Sequence, residues 1–375
     1  MIIAVNTRLL IKNKLEGIGR FSYETLKRIT TQHPEHTFVF IFDRKYDKEF
    51  VFSSNVIPVV IGPQARHPIL FYIWFEFAVK KILTKYKADI FVSPDGYLSL
   101  STTVKSLAVI HDLNFEHYPK DLPFLVSKYY RYFFSRFAKK ADRVATVSDF
   151  SKQDIINNYK ISEDKIDVIY NGASESFKPI NEEEALSIKE KYTQGKPYFL
   201  FVGSIHPRKN IENLFKAFDL FRKKSKAEVK LVIAGEKYYW TSEMQQVYES
   251  LEFKNEIIFT GRINDQELTK VMAGALALTY ISYFEGFGIP LIEAMQCDVP
   301  VITSNKTALP EIAGNAALIT DPFSLESIAN AMHAIYSHPN LRQELIKQGR
   351  IRRNDFSWQK TSEKLWESIC KTVNN

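Results

Sequence analysis

Cysteine is nearly absent. Cys297 and Cys370 are the two in 375 residues, and they have no metal-ligand spacing. A reducing cytosol is the expected compartment. No uninterrupted apolar stretch approaches the ~20 residues of a spanning helix. The chain opens directly on a β-like run, Met1 to Val5, with no basic and apolar leader, so no secretion signal is expected. Internal repeats, low-complexity tracts, an Asp-rich metal cluster and a nucleic-acid-binding module are also missing, which argues against metal-dependent and nucleic-acid-directed functions.

What is present is the composition of a globular protein, 45% hydrophobic and 25% charged, in a chain long enough for two cores. The net charge of +7 is unevenly placed. Residues 1–180 carry 26 Lys and Arg against 19 Asp and Glu, whereas residues 181–375 are balanced at 24 of each. An acidic partner for the first half is expected, such as an anionic membrane surface or a phosphorylated acceptor.

Short β-branched and aromatic runs alternate with amphipathic stretches throughout, the pattern of parallel α/β sheets. Strands are expected at Ile2–Val5, Thr37–Phe42, Val56–Ile61, Asp89–Ser93, Ser106–His111, Arg143–Val147 and Ile166–Tyr170. A polar break over Lys178 to Lys196 follows, and strands resume at Tyr198–Val202, Lys230–Ala234, Glu256–Thr260, Leu276–Ile281, Val299–Thr303 and Ala317–Thr320. Two doubly wound domains, 1–180 and 181–356, are the economical architecture, with ligand expected between them at the carboxyl ends of the strands.

The stretch Phe284 to Pro300, FEGFGIPLIEAMQCDVP, lies between two of these strands. Gly286, Gly288 and Pro290 shape a turn into a helix whose unpaired N–H groups make an anion site. The backbone of Phe287, Ile289 and Leu291 belongs to the same turn. Glu285 in the loop and Glu293 in the helix place two carboxylates at the rim of one pocket. Glutamate near a helix start is also ordinary compensation of the helix dipole, so the spacing by itself leaves both readings open.

A second loop, Phe201 to Asn210, runs from a strand through Gly203 and Ser204 to Arg208 and Lys209. Cations at a helix start oppose the dipole, which points to an anion in that space, and together they match a diphosphate. Earlier in the chain, Gly17 and Gly19 form a partial G-x-G-x-x-G, with Asp43 ending the next strand. Either a flexible helix entry or a phosphate- or acceptor-contacting loop fits them. His111 ends a strand where sites gather in open sheets. Two helices, His67 to Lys87 and Pro123 to Lys140, mix aromatics with cations on nearly every turn. Covering a sheet and lying on a membrane surface both suit them.

The string E-G-F-G-x-P-L-x-E-A-M closely resembles the E-x7-E signature of retaining glycosyltransferases of family 4, which have the GT-B fold of two Rossmann-like domains facing a central cleft. Further segments resemble the same family: IHDLNFEHYP, TVSDFSK with Ser148, VIYNG with Asn171 and Gly172, the loop ending at Lys209, TALPE and the Phe356-Ser-Trp358 start of the last helix. Together they span nearly the whole chain. In the G-R-x-x-x-x-K-G motif Ser204 replaces the usual arginine, and Arg208 is expected to supply that charge.

The resemblance implies an N-terminal acceptor domain, with a helix at about 357–375 crossing back onto it, and a C-terminal nucleotide-sugar domain. It implies that Glu293 holds the ribose and Glu285 a hydroxyl of the transferred sugar. It places His111 beside the sugar and its diphosphate as a hydrogen-bond donor, the Gly17–Gly19 loop over the diphosphate, and the backbone at Arg262 and Ile263 against the base. Arg208, Lys209 and the N–H groups from Gly288 to Leu291 would stabilise the leaving diphosphate without a metal. The expected activity is transfer of a hexosyl unit, mannosyl first, from a GDP- or UDP-sugar to a glycan or lipid-linked acceptor of a bacterial surface polysaccharide, with retention. The cytoplasm, at the inner membrane face, is the expected location. Two other readings stand beside it: an NAD-dependent oxidoreductase using the Gly17 loop, and a non-catalytic nucleotide-sugar or lipid-binding protein.

Overall fold

A computed structural model describes residues 1–15 and 17–374. Asn375, the last residue of the expected terminal segment, lies outside the described residues. The chain divides into two compact units, Met1–Gly172 with Ser357–Asn375, and Ala173–Phe356. The division falls at Gly172, a few residues before the break expected at 180.

Among the described residues the first unit holds seven strands: β1 (Ile2–Asn6), β2 (Thr37–Phe42), β3 (Val56–Val60), β4 (Ile90–Ser93), β5 (Lys105–Val109), β6 (Arg143–Thr146) and β7 (Ile166–Val168). They form one parallel sheet in the order β3-β2-β1-β4-β5-β6-β7. The second unit holds β8 (Tyr198–Val202), β9 (Lys230–Ala234), β10 (Ile257–Gly261), β11 (Ala277–Tyr280), β12 (Val301–Ser304) and β13 (Ala317–Thr320). Their order is β10-β9-β8-β11-β12-β13, again parallel. Both faces of such sheets are covered by helices, so the inner strands are apolar without alternation. All five residues of β8, YFLFV, are buried.

In each sheet the winding reverses once, between β1 and β4 and between β8 and β11. Loops leaving the carboxyl ends of those two strands diverge to opposite faces and leave a crevice, the usual ligand position in an open α/β sheet. In the second unit those loops are Gly203–Lys209 and Ile281–Gly288.

The helix Trp358–Asn374 belongs to the first unit. Trp366 stacks on His33 at 3.7 Å, Ser368 donates to Asp167 at 2.6 Å and Thr361 to the Tyr170 carbonyl at 2.7 Å. Its start runs so close to Gly172 that a Cβ there would lie 2.2 Å from the Trp358 nitrogen. Only glycine fits.

The segment expected as one helix from His67 to Lys87 is interrupted. His67 caps a helix over Pro68–Ile73, a π-helical stretch follows over Trp74–Val79, and regular helix resumes over Lys80–Lys85. The π stretch contains Glu76, buried with its carboxylate bound by Leu100 N–H (2.5 Å), Ser101 N–H (3.3 Å) and the hydroxyls of Ser99 (3.1 Å) and Ser101 (2.8 Å). One extra residue in a helical turn re-aims a side chain, and here it brings an acid to four donors.

The two aromatic helices cover the sheet with one part of their surface and leave other aromatics exposed. Phe71, Trp74 and Phe75 of the first and Tyr129, Phe134 and Phe137 of the second (Phe124–Lys140) enter the core around Tyr97. Ile69, Tyr72, Phe77, Phe124, Leu125 and Tyr132 are exposed, Phe77 at 64%.

Candidate active site

At the β8/β11 crevice, β8 ends at Val202 and the chain turns through Gly203. The backbone of Gly235 at the end of β9 presses against this turn: a Cβ on Gly235 would lie 2.0 Å from the Gly203 carbonyl oxygen. Gly203 N–H donates to the Ala234 carbonyl at 2.9 Å, and Ile205 N–H to the Glu236 carbonyl at 2.9 Å. The loop is therefore a rigid shelf. It ends in a 3-10 turn, Pro207–Lys209, capped by His206, with the regular helix starting at Ile211. The cations thus sit in a turn ahead of the helix and not in the helix itself. Asn210 adopts a left-handed conformation and anchors this corner by donating to the Pro322 carbonyl at 2.6 Å.

The β11 loop closes over it. Tyr283 N–H donates to the Arg208 carbonyl at 3.0 Å, and the Arg208 guanidinium donates to the Phe284 carbonyl at 3.1 Å. Between them lies Glu285, 7% exposed, with one carboxylate oxygen 2.6 Å from Arg208 and the other 2.5 Å from the Lys209 ammonium. Lys209 is itself only 9% exposed. Tyr280, the last residue of β11, donates its hydroxyl to Glu285 Oε1 at 3.0 Å and accepts from Lys209. Burial alone would push the Glu285 pKa up. The charges of Arg208 and Lys209, with the hydrogen bonds they make, outweigh it and hold the carboxyl at about 2. Burial, then the same two cations, hold His206 down at about 4, so its ring is neutral near pH 7.

After Glu285 the chain passes through Gly286 and Phe287 to Gly288, which has φ +104° and would bring a Cβ 2.7 Å from Leu309. The helix then spans Ile289–Gln296, with Pro290 at its second position and not its first. The missing N–H costs nothing there either, since the first four N–H groups have no helical partner. One expected contributor needs correction. The Leu291 N–H, assigned to an anion, bonds the Gly288 carbonyl at 3.0 Å. Phe287 points its ring into the core against Phe356, at 5.7 Å, so only its backbone faces outward chemistry. Glu293 is partly buried in the second turn, close enough to Cys297 that its charge adds to burial in pushing that thiol up to about 12.

The structure thus gathers Arg208, Lys209 and Glu285, with Gly203, Ser204, Gly286, Gly288 and Ile289 in the adjoining backbone. Arg262 and Ile263 leave β10, the outer strand, at the same end of the sheet, and Gly235 N–H ties that exit to β9 through the Gly261 carbonyl at 3.1 Å.

Gly17, Gly19 and His111 belong to the first unit. Phe21, in the helix Ile18–Gln32 that Gly17 opens, meets the His111 ring edge-on at 5.0 Å. His111 Nε2 lies 2.9 Å from the Pro94 carbonyl, which only accepts, so Nε2 carries the proton. Burial pushes the His111 pKa down. The expected donor is therefore corrected: the neutral ring has Nδ1 left, an acceptor. Asp43, set beside Gly17 as a ribose acid, is buried and bound by Arg44 at 2.6 Å and by the Ala65 N–H at 3.0 Å. With eleven residues between β1 and Ile18 as well, the nicotinamide reading of the Gly17 loop loses its support. Ser148 caps the helix Asp149–Tyr159 by accepting from the Ser151 N–H at 3.1 Å.

Sequence reasoning missed Tyr280 and His206, and in the first unit a cluster at the β1/β4 crevice. There Arg8 pairs with Asp95 at 2.6 Å, Asn6 donates to Asp95 at 2.7 Å, and the guanidinium lies over Tyr97 at 4.7 Å. The available signal was position alone, since all lie at or a few residues past strand ends.

Comparisons with known proteins bear on the fold and on the class of protein. The family model described as Glycosyl transferases group 1 matches residues 182–352, and that described as Glycosyltransferase Family 4 matches residues 15–177. O-antigen chain mannosyltransferase B of Escherichia coli is 28% identical over 93% of this chain and 94% of its own. O-antigen chain mannosyltransferase RfbU of Salmonella typhimurium is 28% identical over 79% and 80%. Among solved structures, a sucrose-phosphate synthase from Thermosynechococcus elongatus superposes with a TM-score of 0.80 at 19% identity, over 99% of this chain and 98% of that one. Anabaena HepE in complex with UDP and glucose gives 0.76 at 15% identity, over 98% and 99%. Two parallel-sheet units of this topology define the GT-B fold, and the enzyme is a glycosyltransferase. The chain belongs to the group 1 glycosyltransferases of family 4.

Proposed function

We propose that the enzyme transfers a hexosyl unit, mannosyl first, from a GDP- or UDP-sugar to a glycan or lipid-linked acceptor in bacterial surface polysaccharide synthesis. The observation that carries this is the pair of cations, half-buried Arg208 and buried Lys209, facing Glu285 at the switch point of the second sheet. The relatives named as O-antigen mannosyltransferases support the sugar and acceptor class.

Breaking the sugar–phosphate bond leaves positive charge on the sugar and negative charge on the diphosphate. Arg208 and Lys209 stabilise the latter, and a preorganised donor of this kind is worth ~3 kcal/mol. They supply the charge for which other transferases recruit a divalent cation, so the reading is metal-independent. Glu285, ionised at working pH, stabilises the developing positive charge and holds a sugar hydroxyl. Its two cations and Tyr280 already bind both its oxygens, which suits an electrostatic role better than a covalent nucleophile. The leaving phosphate then takes the acceptor's proton, consistent with retention. Glu293 holds the ribose, the backbone at Arg262 and Ile263 the base, His111 the sugar beside its diphosphate, and the first unit, with the Gly17–Gly19 loop, the acceptor. Thermal-shift and calorimetric titration with GDP, UDP and NAD test this. One nucleoside diphosphate is expected to bind, and Glu293→Ala to weaken it by about tenfold, ~1.4 kcal/mol. Binding of NAD alone, or an unchanged affinity in the variant, would overturn it.

We also propose peripheral attachment to the inner face of an anionic membrane. Among the described residues no helix is long and apolar enough to cross one. The exposed Tyr72 and Phe77 flank a groove of about 690 Å³ lined also by Lys80, Lys81, Lys85 and Ser101. The Phe133 contact with Tyr72, at 5.9 Å, joins this face to the helix bearing Lys128 and Arg136. Basic residues near a charged surface contribute roughly 1 kcal/mol each. The protein is expected to float with vesicles rich in phosphatidylglycerol and to be released by salt. Equal flotation with neutral vesicles would sink the electrostatic part.

A further inference from the structure

The two cations of the donor site already have an anion in the structure. Glu285 bridges them, one oxygen on each, in a setting where all three groups are largely withdrawn from water. Two positive charges against one negative leave the cluster a single net positive charge, while a nucleotide sugar's diphosphate brings two negative ones. A diphosphate and Glu285 cannot both keep their closest contacts to Arg208 and Lys209, because like charges a few ångströms apart in a partly dry site repel strongly.

We propose that donor binding is an exchange of anions, in which the diphosphate takes the place of the Glu285 carboxylate on Arg208 and Lys209, and that Tyr280 is the positioning residue that keeps Glu285 bound during the exchange. The proposal rests on the reading of this site as the donor diphosphate site. Tyr280 is 2% exposed, and its hydroxyl has one proton, which goes to Glu285 Oε1 at 3.0 Å. Its oxygen accepts from Lys209, since an ammonium only donates. The tyrosine is thus the neutral member of the cluster, bonded to both charges. When Lys209 and Arg208 turn to phosphate, the bond from Tyr280 to Glu285 persists. The carboxylate is then not left bare in a buried position, where an unpaired charge is costly. It is also left beside the diphosphate, where a sugar hydroxyl can complete its bonding.

The exchange makes predictions of opposite sign for two conservative variants. Glu285→Gln removes the competing charge, so inorganic pyrophosphate, GDP or UDP is expected to bind about tenfold more tightly even though transfer is lost. Tyr280→Phe keeps the ring and both charges but removes the bond that supports the displaced carboxylate. The same probes are expected to bind it about threefold or more weakly, and the donor KM to rise while kcat stays within about twofold. Binding is measured by isothermal titration calorimetry on the full chain, with circular dichroism confirming the fold. If Glu285→Gln does not fold, Tyr280→Phe decides alone through the split between KM and kcat. Glu285→Gln binding no tighter than wild type, or Tyr280→Phe matching wild type in affinity and KM, would overturn the exchange. Failure of every form, wild type included, to bind pyrophosphate or either nucleotide would instead overturn the donor-site reading beneath it.

Discussion

Lys209→Ala is expected to lower the transfer rate at saturating donor by about a thousandfold. The ammonium is buried against Glu285 and Tyr280, at the end of a turn held by the β11 loop, so it is fixed before the substrate arrives. A fixed cation in a site of low polarity stabilises charge that appears only in the transition state, and loss of one such donor costs ~3–4 kcal/mol, at about tenfold per 1.4 kcal/mol. The loss should fall on kcat more than on KM, because negative charge on the diphosphate grows as the sugar leaves. Removing one partner of a buried pair also destabilises, by roughly 3–5 kcal/mol where nothing else compensates. Here Arg208 remains on Glu285, so a smaller loss is expected, and Lys209→Met, which keeps the stem, separates folding from chemistry. Initial rates with both variants, corrected for folded fraction, check this. Activity within about tenfold of wild type would remove Lys209 from the chemistry.

Gly235→Val is expected to abolish nucleotide binding and to cost ~3 kcal/mol or more in denaturant unfolding, as overpacking against unyielding backbone does. A Cβ at this position meets the carbonyl oxygen of Gly203 at 2.0 Å and its carbon at 2.6 Å. Neither side can give way. Gly203 N–H is held by Ala234, and Gly235 N–H by the Gly261 carbonyl. The loop that carries Arg208 and Lys209 would have to lift off the sheet. Gly261→Ala is the contrast: it has φ +66° but no atom within 4 Å of the added Cβ. Backbone strain of ~1 kcal/mol is expected there, with donor binding kept. Equal effects of the two substitutions on affinity would show that the Gly203 turn does not organise the site.

Much of this was legible in the chain. Each of the thirteen strands lies where an apolar run had marked it, within a residue or two at either end. Fully covered parallel strands need continuous hydrophobicity, and short loops leave little room for ambiguity. The cations and Glu285 were legible too, because each stands between a strand and a helix start. What escaped depends on partners far along the chain. Tyr280 reads as one more buried strand aromatic until Lys209, 71 residues earlier, is placed beside it. The π-helical turn at Trp74–Val79 answers donors at Ser99 to Ser101, and no local periodicity announces it. Arg8 and Asp95, 87 residues apart, meet only because β1 and β4 are neighbours. The N–H of Leu291 could not be told from its neighbours by sequence, since its bond to Gly288 depends on how the turn closes.

The most direct test is the structure of the enzyme with an intact, slowly transferred nucleotide sugar. The diphosphate is expected within hydrogen-bond distance of both Arg208 and Lys209, with Glu285 turned from them and held by Tyr280 and the sugar. A diphosphate lying elsewhere, with the Glu285 ion pairs undisturbed, would contradict it.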